Sequence, residues 1–337
     1  MRELFGTLAD GRQSYLYTIR CGSMKAQIAD LGATLVRLFV PDREGNLADV
    51  VLGYDGANDY LNQGGYLGAT VGRNANRVKG AAFVLNGKTY SMTGNEGENN
   101  LHSGPEGYER RIWDLVSWDE SSVCFSLDSP DGDQGFPGNA EIRVTYTLQP
   151  GGVLAISYDA ISDKDTVFNM TNHSYFNLAG HQNTHLAMEQ VLTIPGRAFT
   201  AADEKSIPTD EMRPVAGTPM DFREPKPIGR DIDENYDALC NQSGYDHNFE
   251  VYTAPAAILY DPSSGRTMAV ETDCPGIQFY AGNFLDNQGK DGVYYAKRSG
   301  ICLETQYYPN SVNNPQWKQP FCKAGKHYRS QTRYIFK

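Results

Sequence analysis

The sequence contains no long hydrophobic run. Nowhere do about 18 apolar residues follow one another, which excludes a membrane-spanning helix. The first residues, MRELFGTLADGRQSY, lack the apolar centre of a secretory signal. Clusters of basic residues are also missing, and the formal net charge is −11. Nucleic acids and anionic membrane surfaces are therefore excluded as partners, because phosphate binding needs grouped Lys and Arg. The six cysteines, Cys21, Cys124, Cys240, Cys274, Cys302 and Cys322, form no CxxC pair. They are expected to be reduced, mostly buried thiols of a cytoplasmic protein. A phosphate-binding Gly-x-x-x-x-Gly-Lys-[Ser/Thr] loop and a dinucleotide fingerprint are both absent. His181 and His185 stand at i and i+4, but the pattern there is not helical and no catalytic Glu lies between them. A zinc-helix reading fails on both grounds, and no metal site is expected. Helical periodicity is scarce throughout; only Asn58–Gln63 reads as a short helical turn.

What the chain has in quantity is turn formers and strand formers. There are 34 glycines and 17 prolines, and aromatic residues make up 11%. In Glu141–Leu148, Ile142, Val144, Tyr146 and Leu148 share one face, with Arg143, Thr145 and Thr147 on the other. A QPGG turn follows, and Val153–Tyr158 completes a hairpin. FVLNGKTYSM is a second hairpin, turning at Asn86-Gly87, the strongest short hairpin signal. Ala256–Thr272 reads as strand, turn, strand, and Ala26–Val40 as a β-type segment around a glycine. Pro208–Arg230 reads as a long surface connection. The expected fold is all-β, a large antiparallel β-sandwich forming a single domain over residues 1–337.

Five segments are dense in polar side chains that a core disfavours: GRNANR (Gly72–Arg77), NNLHSG (Asn99–Gly104), TNHSYFNL (Thr171–Leu178), GYDHNF (Gly244–Phe249) and CLETQYYPNSVN (Cys302–Asn313). Together they supply Arg, Asn, His, Asp, Glu and Gln interleaved with Tyr and Phe. A sugar site uses this set: polar groups hydrogen-bond the hydroxyls and aromatic faces cover the C–H surfaces. Each segment also has a plainer reading. One of Arg73 and Arg77 would be a surface ion-pair residue. A single His is more often a structural hydrogen-bonding group than a catalyst. Asp246 would stabilise a turn, Glu304 would point to solvent from a strand end, and Asn172 and Asn177 would brace a turn.

GATVGRNANRVKGAAFVLNGKTY and NNLHSGPEGYERRIWD resemble the N-terminal half of the aldose 1-epimerase family. TNHSYFNLAG resembles its central histidine motif. GYDHNF, PGIQFYAGNF and LETQYYPNSVN resemble its C-terminal motifs, and AGKHYRSQTRYIF its closing strand. The similarity runs in order from about Gly68 to the C-terminus. It implies a galactose-mutarotase-like β-sandwich and a cofactor-free isomerase acting on a free aldohexose such as D-galactose or D-glucose. It further implies Glu304 as general base, His173 as general acid and His102 as second active-site histidine. Asp246, Arg77, Asn76, Gln278 and Arg73 are implied as sugar ligands, and the chain as a monomer or homodimer. Two positions depart from the family pattern: Ser103 stands where it has glycine, and Asn310 where it often has Asp. Neither transfers a proton in the family mechanism; they bear on substrate preference. A glycoside hydrolase using Glu304 and Asp246 is the first rival. A non-catalytic carbohydrate-binding protein is the second, and a sugar-phosphate epimerase, which would need a cationic cluster, is the third.

Overall fold

The computed structural model describes residues 1–337. The chain folds into antiparallel sheets, three of them large. A five-stranded sheet holds the N-terminal strands in chain order, from Arg2–Thr7 to Leu47–Asp49. A nine-stranded sheet follows, in which the C-terminal strand His327–Phe336 lies between Val153–Ser162 and Thr267–Thr272. The last ten residues of regular structure are thus an interior strand, tying the end of the chain to its middle. The third sheet has six strands in the order Tyr175–Phe176, Ile301–Gln306, Gly276–Tyr280, Asp246–Glu250, Ala198–Ala202 and Pro208–Pro214.

The expected hairpins form. Ala140–Gln149 pairs with Val153–Ser162, and Ile142, Val144, Tyr146 and Leu148 are buried while Arg143 is exposed. This is the period-two pattern of a strand with one face in the core. Ala82–Leu85 pairs with Lys88–Ser91 around Asn86 and Gly87, both with positive φ (53° and 76°), as a two-residue turn of this kind requires. The short helix appears at Ala57–Asn62.

Three expectations are corrected. Pro208–Arg230 is not all connection: Pro208–Pro214 is an edge strand of the six-stranded sheet, paired with Ala198–Ala202. A six-residue 3₁₀ segment covers Thr184–Glu189, where no helix was expected. Of the six cysteines, all unpaired, only Cys274 and Cys302 are buried, so most are not interior thiols.

A core cluster of 54 residues draws Tyr17 and Ile28 from the first sheet, Ile142 and Ile156 from the second, and Phe249, Phe279 and Leu303 from the third. No helix is long and apolar enough to cross a membrane.

Candidate active site

The six-stranded sheet explains how so many polar side chains gather. On Ile301–Gln306, Ile301 and Leu303 join the core, while Cys302, Glu304 and Gln306 alternate to the opposite face. On Gly276–Tyr280, Ile277 and Phe279 enter the core and Gln278 and Tyr280 face away. Gln278 is the direct cross-strand neighbour of Glu304 and of Asn248, and Asp246 is that of Tyr280. Glu304, Gln278 and Asp246 therefore sit side by side on three adjacent strands. A cavity of about 270 Å³ opens over them, and His102, His173, Asn76 and Arg77 also line it.

His173 reaches the cavity from the segment between the short strands Thr171–Asn172 and Tyr175–Phe176. Its backbone N–H donates to Ala69 O, and its carbonyl accepts from Gly68 N–H, each at 2.9 Å. Gly68 has φ 70°, and a Cβ there would stand 2.1 Å from Leu35 O, so only glycine lets the chains approach. Asn172 braces this turn as anticipated: its Nδ2 donates to Gly68 O and its Oδ1 accepts from Ser174. Asn177 does the same for the following loop.

His102 and Asn76 are locked to each other. His102 N–H donates to Asn76 O at 3.0 Å, and Asn76 N–H donates to His102 Nδ1 at 3.1 Å. Both residues have positive φ (50° and 61°). Because Nδ1 accepts from an amide, the neutral ring carries its proton on Nε2.

Arg77 forms a bidentate pair with Glu96, with Nε to Oε2 at 2.6 Å and Nη2 to Oε1 at 2.8 Å. That leaves Nη1 3.8 Å from Asp246 Oδ2. Gln278 Nε2 donates to Asp246 Oδ1 at 2.6 Å. His102, His173 and Glu304 are close-set: a ring nitrogen of each histidine and a carboxylate oxygen of the glutamate all lie within 4.8 Å of one another. His173 Nε2 is 3.7 Å from Glu304 Oε1, near yet beyond a hydrogen bond. Glu304 Oε2 is buried with no hydrogen-bond partner.

Burial dominates the electrostatics. It pushes His173 down to about 4 and holds His102 well below the usual histidine range. It raises Glu304 well above an ordinary carboxylate, with the nearby Asp246 charge adding to the rise and Arg77 opposing it. Buried, unpaired and strongly perturbed groups at a cavity wall are a functional signature.

The comparisons with known proteins point the same way. A model of the family described as "Aldose 1-epimerase" matches residues 15–335. This chain belongs to the aldose 1-epimerase family. It is 40% identical over 344 aligned residues to a galactose mutarotase of Sus scrofa, covering 99% of this chain and 98% of that one. It is 37% identical to an aldose 1-epimerase of Escherichia coli, covering 97% and 96%. Among solved structures, an aldose epimerase homologue from C. elegans superposes with a TM-score of 0.89 at 31% identity, covering 96% of this chain and 99% of that one.

Seven of the eight expected site residues line the epimerase cavity; Arg73 does not. Its side chain is fully buried, donating to the carbonyls of Ser129, Pro137 and Gly138 and to the hydroxyls of Ser129 and Thr166. It ties loops together instead of facing sugar. Neither Arg73 nor Arg77 is a surface ion-pair residue. Glu304 does not point to solvent: it is 2% exposed in mid-strand.

The two departures from the family pattern are also structural. Ser103 keeps the left-handed backbone (φ 71°) that glycine would adopt freely, and its hydroxyl bridges the N–H and C=O of Asn74. Asn310 receives the Lys79 N–H on its Oδ1 and gives its own N–H to Arg77 O.

Sequence reasoning missed Glu96, Tyr66, Tyr175, Tyr280 and Phe284, which also line the wall. Glu96 lies just upstream of the NNLHSG segment, outside the five polar segments singled out. Tyr175 and Tyr280 were within motifs, but an aromatic on a strand reads first as core. A second cavity of about 300 Å³ adjoins the first across Gly65 and Tyr66.

Proposed function

We propose that this aldose 1-epimerase interconverts the α and β anomers of a free aldohexose such as D-galactose or D-glucose. Glu304 acts as base, His173 as acid, and His102 donates from Nε2. The observation that carries the reading is the Glu304 carboxylate: buried, without a protein partner on Oε2, and 3.7 Å from the His173 imidazole. Such a group is costly to the fold unless substrate satisfies it.

Anomer exchange opens the ring. The carboxylate takes the proton of O1–H while the imidazolium gives a proton to the ring oxygen, and the C1–O5 bond breaks. The aldehyde turns about C1–C2. Closure runs the transfers backwards: His173 removes the proton from O5–H and Glu304 returns one to O1. The pair thus holds one proton before opening and one after it, and no redox partner is needed. In the empty cavity, burial favours the neutral arrangement, carboxyl and imidazole, which is also the arrangement at the open-chain stage. Bound hydroxyls and the Arg77 charge stabilise the ionised arrangement that starts the cycle.

Arg77, Asn76, Asp246 and Gln278 hold the remote hydroxyls while C1 turns. Arg77 is aimed by Glu96, and Asp246 by Gln278. We read residues 1–337 as one domain, and the six unpaired cysteines as suited to a reducing compartment. Polarimetry on freshly dissolved α-D-galactose tests the assignment.

A further inference from the structure

His173 has a second ring nitrogen, and its partner plays no part in the chemistry above. Nδ1 lies 3.5 Å from Cys302 Sγ, and both residues are buried. Cys302 precedes Glu304 by two residues on the same strand, so both side chains project to one face. One strand therefore delivers Glu304 to Nε2 and Cys302 to Nδ1 of the same imidazole. Tyr175, the cross-strand neighbour of Cys302, stacks on that ring at 5.1 Å and 27°, and Tyr66 at 5.7 Å and 22°. The ring is held by its faces and by Nδ1, and Nε2 is left facing Glu304 without a hydrogen bond.

We infer that Cys302 is a positioning residue for His173: its thiol keeps a hydrogen bond with Nδ1 whichever way the proton points, so that Nε2–H faces the cavity in both protonation states. This rests on the reading of His173 as the acid. When the ring is neutral, S–H donates to Nδ1 and the ring proton resides on Nε2. When the ring is protonated, Nδ1–H donates to a sulfur lone pair and the thiol hydrogen rotates away. A backbone carbonyl can only accept, and would draw the neutral ring's proton to Nδ1. A carboxylate would stabilise the cation and weaken the acid. A thiol does both jobs weakly, and burial keeps it in the S–H form.

His102 supplies the contrast. Its Nδ1 accepts from the Asn76 amide, which can only donate. Protonating that nitrogen would break the bond, so His102 is fixed as a neutral Nε2–H donor while His173 can alternate. The other titratable groups facing His173 are Glu304, His102 and the tyrosines Tyr66, Tyr175 and Tyr280.

The test is ¹⁵N-histidine NMR and steady-state mutarotation on the wild type, Cys302→Ala and Cys302→Ser. In the wild type at neutral pH, the His173 resonance assigned through a His173→Asn variant is expected to show Nε2–H and an unprotonated Nδ1. Cys302→Ala is expected to mix the two tautomers and lower kcat about three- to tenfold, the worth of one hydrogen bond, with KM within about twofold. Cys302→Ser, a stronger group with the same dual capacity, restores kcat and the single tautomer. A wild-type ring with its proton on Nδ1 overturns the inference without any variant. So does a Cys302→Ala protein with wild-type kcat and an unchanged ¹⁵N pattern, or a Ser variant no better than Ala. A folded His173→Asn protein at full rate instead removes His173 as acid, a separate failure.

Discussion

Nε2 of His173 and Oε1 of Glu304 stand 3.7 Å apart, close enough to exchange a proton through substrate oxygens and too far to satisfy each other. The fold keeps both groups buried and unmatched, and the proposed acid–base chemistry depends on that gap.

Removing either partner should stop turnover and leave the sugar ligands in place. His173→Asn and Glu304→Gln are each expected to lower kcat by about 10²–10⁴-fold, the usual contribution of a positioned acid or base. Binding of galactose, followed by calorimetry, should persist. A near-wild-type rate in either variant would mean that the acid or base lies elsewhere.

Asp246 should affect holding more than proton transfer. Asp246→Asn keeps an acceptor for Gln278 but loses the charge facing Arg77. KM is expected to rise about tenfold or more, the value of a charge-assisted hydrogen bond, with a smaller change in kcat. Unchanged constants would count against an anchoring role.

Arg73→Met separates structure from function. The substitution would remove the guanidinium that donates to the carbonyls of Ser129, Pro137 and Gly138 in the interior. Stability in urea should fall by at least ~3 kcal/mol, while KM of the remaining folded protein stays close to wild type. A raised KM with intact stability would restore Arg73 as a sugar ligand.

Acid should weaken the fold through His247. Burial pushes this ring down to about 3 from the ordinary 6.5. Between those values the unfolded chain binds more protons than the folded one, so stability declines as pH drops through that window. His247→Gln removes this proton uptake, and urea midpoints from pH 6.5 to 4 should fall less steeply than in the wild type. Parallel slopes would show that His247 titrates normally.

The strands were legible where one face is apolar and the other is not, as in Glu141–Leu148. Pro208–Pro214 was hidden because it is an edge strand, mostly exposed, with no apolar face to reveal its period. The polar motifs were legible because amides, carboxylates and histidines on strands have no business in a core. Arg73 was misjudged for the same reason: a buried guanidinium that caps loop carbonyls carries the same letters as one that binds sugar. Glu96 and Tyr66 join the wall only through tertiary approach, which no spacing along the chain encodes.

A nitrophenyl galactoside should remain intact with this protein, since its anomeric oxygen has no proton to give Glu304; release of nitrophenol would support the hydrolase rival instead.

The most direct test is the optical rotation of freshly dissolved α-D-galactose, with and without the purified protein. Faster decay to an unchanged equilibrium rotation is the expected result, and the same run with α-D-glucose ranks the two sugars. Decay at the spontaneous rate with both sugars would contradict mutarotation as the activity of this chain.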